Sequence, residues 1–274
     1  MTIAETADDC FSSVATVSVE KWRDGVAHKE QDIVAEEIAI ALEYYGISHA
    51  VMMATPADLE DFALGFSLTE GILADPSELF DCEIVPAADG IQVQMHIATE
   101  RFIALKEKRR NLTGRTGCGL CGAETLAQAI RKPLPVISSA QFSVASIYAA
   151  IASMQQQQTL QQQTGATHAA AWLQRNGEIL LVREDVGRHN ALDKLIGALA
   201  IGKHDLSSGA VIITSRASYE MVQKAASMGI GFIVAISAPT ALAITLAEQA
   251  DVTLLGFVRT QSHVVYAHGR RLIS

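Results

Sequence analysis

Aromatic residues supply only 5% of this sequence, so alanine, isoleucine, leucine and valine must fill its core. That aliphatic bias suits helices layered on a sheet. Prolines number six and charged residues are 19%, against 49% apolar residues, which excludes a disordered chain. An excess of positive charge is also missing. The formal charge is −9, which argues against nonspecific binding to nucleic acid or acidic membranes. The opening MTIAETADDCFSS lacks the basic n-region and apolar h-region of a signal peptide, so a cytoplasmic protein is expected. One stretch, Ser227 to Ala247, is uncharged over about the length of a membrane span. It contains Gly229, Gly231, Ser237 and Pro239, and is better read as a strand (IGFIVAIS), a turn and a helix (TALAITLAEQA). Cysteines are four. Without an export signal they imply a reducing compartment, where a close pair is chemical rather than a staple.

With 274 residues the chain can form one large domain or two modest ones. IAIALEYYGISHAVMMAT predicts a hairpin turning at Tyr45-Gly46. PADLEDFALGFSLTEGIL predicts a helix with Pro56 in its first turn and Gly71 at its end. IQVQMHIA alternates as a half-buried strand does, and TERFIALKEKRR reads as a helix with a basic end. The tract MQQQQTLQQQTG is expected to be a solvated helix end and a linker. THAAAWLQRNGEILLVRED predicts a hairpin turning at Asn176-Gly177. Helix and strand then alternate, with strands that are continuous apolar runs, as a sheet covered on both faces requires. A smaller α+β region over residues 1–134 is therefore expected to precede an α/β region over 135–274.

Cys118 and Cys121 form C-G-L-C within NLTGRTGCGLCGAETLAQAI. Two thiols at this spacing can ligate zinc, cycle through a disulfide or present one thiolate as a nucleophile. A structural zinc wants four ligands, and Cys10 and Cys82 stand alone and far apart. A thioredoxin-type pair sits near a βαβ pattern, whereas a basic, glycine-rich segment precedes this one. Nucleophilic use fits best. Five basic residues and one acid lie between Lys106 and Arg115, and positive charge favours the thiolate. A helix starting in AETLAQAI adds its partial positive charge, and Gly117, Gly119 and Gly122 let the backbone bare the sulfur. A zinc-deaminase reading fails: HKE at His28 lies some ninety residues earlier, and Gly117 stands where that signature has proline.

Two further clusters carry polar groups. VREDVGRHNALDK sets Glu184, Asp185, Arg188, His189, Asp193 and Lys194 at a strand end and helix start, a favoured ligand position in an open α/β sheet. The plainer reading is helix capping by Asp185 or Asn190 with solvated salt bridges. In GFVRTQSHVVYAH, Arg259 can clamp a phosphate and Ser262 can hydrogen-bond one, or the segment is an ordinary hairpin. Arg188 and His189, Arg216 and Arg259 each follow a predicted strand, so parallel strands would bring them to a common crevice.

FALGFSLTEGIL, GCGLCG, THAAAW, EDVGRHNALDK, SRASYEMVQKAA, SAPTALA and GFVR occur in this order between about Glu36 and His268. Together they resemble the formate dehydrogenase accessory sulfurtransferase family, FdhD. The resemblance implies a cytidine-deaminase-like three-layer α/β core over 135–274, beside the smaller N-terminal α+β region. It implies that sulfur is accepted from a cysteine desulfurase as a persulfide. The acceptor would be the molybdenum bis(molybdopterin guanine dinucleotide) cofactor of formate dehydrogenase. By similarity Cys118 carries the persulfide, although local physics rates Cys121 equally. The family's cofactor segment maps onto Phe257, Val258, Arg259, Thr260, Gln261 and Ser262, with Arg188, His189, Asp193 and Arg216 as further cofactor-binding candidates. A homodimer is expected, with no resident metal, nucleic-acid partner or membrane partner. The alternative is a cofactor-binding chaperone whose cysteines are structural or hold zinc.

Overall fold

The computed structural model describes residues 11–113 and 133–273. The chain opens with a ribbon, β1 (Val14–Arg23) and β2 (Val26–Ala35), turned by Asp24 and Gly25 at φ of 49° and 79°. β3 (Ile38–Tyr44) and β4 (Ile47–Ala54) form the predicted second hairpin, with Tyr45 and Gly46 both at positive φ, as a two-residue primed turn demands. α1 (Leu59–Thr69) follows and ends at Gly71, as expected. Pro56, however, lies ahead of the helix and not in its first turn. Thr55 is held at the end of β4 by bonds to Asp185 and Lys194, so the chain enters α1 only after Asp58, in left-handed conformation. β5 (Leu79–Ala87) and β6 (Gly90–Ile97) complete a four-stranded sheet of order β4-β3-β6-β5, and α2 (Thr99–Thr113) comes next.

The remaining described chain begins with the short strand β7 (Phe142–Ser143) and α3 (Val144–Gln157). The glutamine tract is not a linker. It ends α3 with a fully buried Met154 and forms a further helix, α4 (Thr159–Thr164), separated from α3 by a buried Gln158. The physical reason lies outside the tract: Leu160 and Gln161 donate their N–H groups to the Glu184 carboxylate at 2.9 and 2.8 Å, an anion at a helix start. β8 (His168–Leu173) and β9 (Ile179–Asp185) form the expected hairpin, with Gly177 at φ 87°. Then come α5 (Arg188–Ile201), β10 (Ala210–Ile213), α6 (Tyr219–Ser227), β11 (Phe232–Ala235), α7 (Ala241–Gln249), β12 (Thr253–Gly256), β13 (Val264–Ala267) and β14 (Leu272–Ile273). The uncharged run thus spans a strand and a helix. Among the described residues no helix is long and apolar enough to cross a membrane.

Six strands pair in the order β13-β12-β11-β10-β8-β9, with β10, β11 and β12 parallel and the flanking pairs antiparallel. The strand period of two sorts their side chains between two cores. Trp172, Val211, Ile213, Ile233 and Leu254 face Leu195, Met221 and Leu246 of α5, α6 and α7. Ala171, Ile212, Phe232, Val234 and Leu255 face Ile147, Ile151 and Met154 of α3. The result is a three-layer, mixed α/β arrangement. A third core joins α1 to the inner face of the four-stranded sheet through Phe62, Phe66, Ile40, Leu42, Val93 and Met95.

Candidate functional site

Because β8 is antiparallel to both β9 and β10, the strands β9, β10, β11 and β12 all run the same way. Their carboxyl ends therefore open on one edge, where Arg188, Arg216 and the Phe257–Ser262 segment leave the sheet. Backbone bonds stitch each loop to the next. Ile236 N–H donates to Ile213 O (2.9 Å), Thr240 N–H to Ala217 O (3.0 Å) and Phe257 N–H to Ser237 O (3.2 Å).

Arg259 belongs to this stitching. Its Nη1 donates to the carbonyls of Ile236 and Val258, and its N–H donates to Ser262 O at 2.8 Å, closing a turn. Thr260, Gln261 and Ser262 are exposed at that turn, while Val258 is buried and Phe257, at φ 51°, is half-exposed. The segment joins the antiparallel strands β12 and β13, so the hairpin reading and the position at the edge are both realised. His263, one residue on, places Nδ1 2.8 Å from the Tyr148 hydroxyl of α3. Arg216 is exposed in the loop after β10.

The cluster EDVGRHNALDK divides by helical phase. Asp185 and Lys194 are fully buried and 2.7 Å apart, and both hold Thr55: its N–H donates to Asp185 (3.0 Å) and its carbonyl accepts from Lys194 (2.8 Å). Asp185 also accepts from Gly187 N–H and the Asn190 amide. Asp193 is 1% exposed. Its carboxylate accepts from Thr69 at 2.8 Å and from Lys224 at 2.9 Å, so it points into the α1–α5–α6 junction and away from the sheet edge. Neither Asp185 nor Asn190 caps α5, whose start at Gly187 has no side-chain cap, and these ion pairs are buried rather than solvated. Their partners Thr55, Thr69 and Lys224 went unread because their importance depends on contacts 31 to 155 residues away in sequence.

Arg188 and His189 stand at the start of α5 on that edge. Arg188 Nε is buried and has no hydrogen-bond partner among the described residues. His189 Nε2 lies 2.7 Å from Glu220 of α6. Burial, with Arg188 adding repulsion against the pull of Glu220, holds the His189 pKa below the ordinary histidine range. His168, the first residue of β8, was not singled out from sequence, yet it shares this neighbourhood. Burial first, and the Arg188 charge second, depress its pKa. An imidazole of lowered pKa beside a guanidinium N–H that has no partner among the described residues is a setting suited to receive an anion. The sign follows: the depressed pKa contributes stability above the unfolded histidine value, lost as pH falls through the folded one. An anion placed on Arg188 should relieve the repulsion and raise the His168 pKa. An NMR titration with and without GDP checks this, and an unmoved or lowered pKa would show that the anion does not sit there.

Cys118 and Cys121, with Arg109, Arg110 and Arg115 that motivated their reading, fall outside the residues whose side chains are described, as does Cys10. Cys82 is half-buried, and burial, reinforced by Glu60 and Asp81, pushes its thiol up to about 12. Such a thiol is not a thiolate at neutral pH.

The profile of the FdhD/NarQ family matches residues 35–273. The chain is 61% identical over 258 residues to the sulfur carrier protein FdhD of Cupriavidus necator, covering 94% of this chain and 90% of that one. It is 51% identical over 271 residues to the protein of the same name from Bordetella petrii, covering 98% and 96%. Among solved structures, one from Desulfotalea psychrophila, assigned as a formate dehydrogenase accessory protein, superposes with a TM-score of 0.78 at 24% identity, over 96% of this chain and 100% of that one. At that identity the likeness establishes the fold. Profile and relatives together span almost all of the described chain, and the protein belongs to the FdhD/NarQ family.

Proposed function

We propose that this protein is a sulfur carrier that serves formate dehydrogenase. It would accept sulfur from a cysteine desulfurase and deliver it to the molybdenum bis(molybdopterin guanine dinucleotide) cofactor, bound here as the substrate. The observation that carries the substrate half is the convergence of Arg188, Arg216 and the Arg259 loop on one sheet edge of a chain with net charge −9. A guanine dinucleotide brings phosphates, which need local cations or backbone donors. Arg188, whose Nε has no partner among the described residues, and the exposed Arg216 are suited to receive them. Arg259 is suited to hold the exposed Thr260–Ser262 turn in place.

The sulfur half rests on the family and on the basic, glycine-flanked sequence around Cys118 and Cys121. In the transfer, the Cys118 thiolate attacks the outer sulfur of the donor's persulfide. A new S–S bond forms, the donor's S–S bond breaks, and the donor cysteine leaves as a thiolate. Cys82, with its raised pKa, is not a competitor.

Intact-mass measurement after incubation with a desulfurase and cysteine tests the sulfur half. Added sulfur, removable by reductant and lost in Cys118→Ala, is expected; equal loading of that variant and the unaltered protein would reject Cys118. Calorimetry with GDP tests the other half. Arg216→Ala should weaken GDP by about tenfold, the scale of one charged hydrogen bond, with sulfur loading unchanged. Undiminished GDP affinity would reject the edge as the nucleotide site.

A further inference from the structure

The ladder between β12 and β13 stops at Gly256 opposite Val264, so the residues from Phe257 to His263 leave the sheet unpaired. β13 is also the outer strand of its sheet among the described residues. A turn at such a place has to be held by other means. Backbone bonds hold its first foot: Phe257 N–H donates to Ser237 O and Val258 N–H to Ala235 O, both at 3.2 Å. The Arg259 guanidinium adds its bonds to the carbonyls of Ile236 and Val258. The second foot differs. Apart from the turn closure between Arg259 and Ser262, the hydrogen bond that reaches Thr260 to His263 among the described residues is the one between His263 Nδ1 and the Tyr148 hydroxyl, 2.8 Å apart. The two rings also meet edge to face, with centroids 5.8 Å apart. Tyr148 has firm support. Its neighbour Ile147 and Ile151 one turn on are buried in the core of α3, and Ser143 caps that helix by accepting from Ser146 N–H at 3.1 Å.

We propose that Tyr148 and His263 are positioning residues for the guanine-nucleotide site, an inference that rests on the nucleotide reading above. The pair acts through the turn. Arg188 is set at the edge by α5, on one face of the sheet, whereas α3 packs on the other face. The Tyr148–His263 bond is the tie by which that second layer fixes the exposed Thr260–Ser262 turn relative to the arginines. Without it the turn hangs from its first foot, and the ligand itself must order it, at a cost in affinity. A phenol both donates and accepts, so the bond persists in either imidazole tautomer.

Calorimetry with GDP and limited tryptic digestion of the full chain test the pair. Trypsin needs the Arg259 side chain released from its two carbonyls, so the cut after Arg259 reports opening of the turn. Tyr148→Phe removes only the hydroxyl. In that variant the cut should come about fivefold faster and GDP should bind about fivefold more weakly, the scale of one hydrogen bond. His263→Leu should do the same, and the double variant no more, because all three lose one shared bond. His263→Asn sets a hydrogen-bonding atom near the Nδ1 position and should return both readings toward those of the unaltered protein. Equal GDP affinity in the unaltered chain and Tyr148→Phe overturns the proposal alone, whatever the digestion shows. Additive losses in the double variant, or an Asn variant as weak as the Leu variant, overturn it too, since the shared bond would then not be the cause. An unaltered chain that binds no GDP overturns the nucleotide reading and the proposal with it.

Discussion

Gly197→Ala is expected to destabilise the protein by about 3 kcal/mol or more, where the same change in an ordinary helix interior stabilises by about 1 kcal/mol. The reversal of sign is the diagnostic. A Cβ on Gly197 would stand 1.9 Å from the carbonyl oxygen of Asp61 and 2.7 Å from its carbonyl carbon. Both obstacles are backbone atoms of α1, so no rotamer change relieves them. The contact is reciprocal: a Cβ on Gly65 of α1 would stand 1.8 Å from the carbonyl oxygen of Asp193 in α5. The two helices cross with their backbones in contact through a pair of glycines. A methyl on either one must push apart the N-terminal region and the six-stranded sheet's helical layer. Thermal unfolding should show a fall of roughly 10 °C in Tm. A Tm equal to or above that of the unaltered protein would mean that the helices are not so closely crossed.

The second large effect is expected at Lys194→Met. The ammonium is fully buried, 2.7 Å from Asp185, and donates to Thr55 O at 2.8 Å. Removing it leaves a buried carboxylate without its counter-charge, at a cost of about 3–5 kcal/mol. Asp185→Asn in the same background should recover part of the loss, because removing both charges ends the imbalance. Additive losses in the double variant, measured by urea unfolding, would show that the two groups do not interact. Glu220→Gln is the contrast. Glu220 is 59% exposed and reaches His189 from the surface, so its loss should cost under about 1 kcal/mol.

These two effects arise at the same seam. Thr55, Thr69 and Glu70 come from the N-terminal region, whereas Asp185, Asp193, Lys194 and Lys224 come from α5, α6 and the strand before them. The charged residues of EDVGRHNALDK thus have two roles. Asp185, Asp193 and Lys194 fasten the seam, and Arg188 and His189, at the first turn of α5, are left for the sheet edge. Fastening α5 from behind fixes where its first turn stands, which matters for any ligand that Arg188 receives.

Local order was legible in the sequence. Tyr45-Gly46 and Asn176-Gly177 mark their hairpins because tight turns need positive φ, and the apolar runs mark strands covered on both faces. The order of polar clusters along the chain was enough to indicate the family, and the position of Arg188, Arg216 and Arg259 after strands was enough to suggest a shared edge. Pairing decided the rest. That edge exists only because β8 inserts antiparallel between β9 and β10, restoring one direction to the strands that bear the arginines. Whether Asp193 faced a ligand or a lysine depended on Lys224, 31 residues on, and on Thr69, 124 residues back. Gln158 looked solvated until Glu184 drew the start of α4 onto the sheet's rim. A sequence pattern records which face of its own helix or strand a residue occupies. What that face meets is set by chain segments far away, and only tertiary packing brings those into contact.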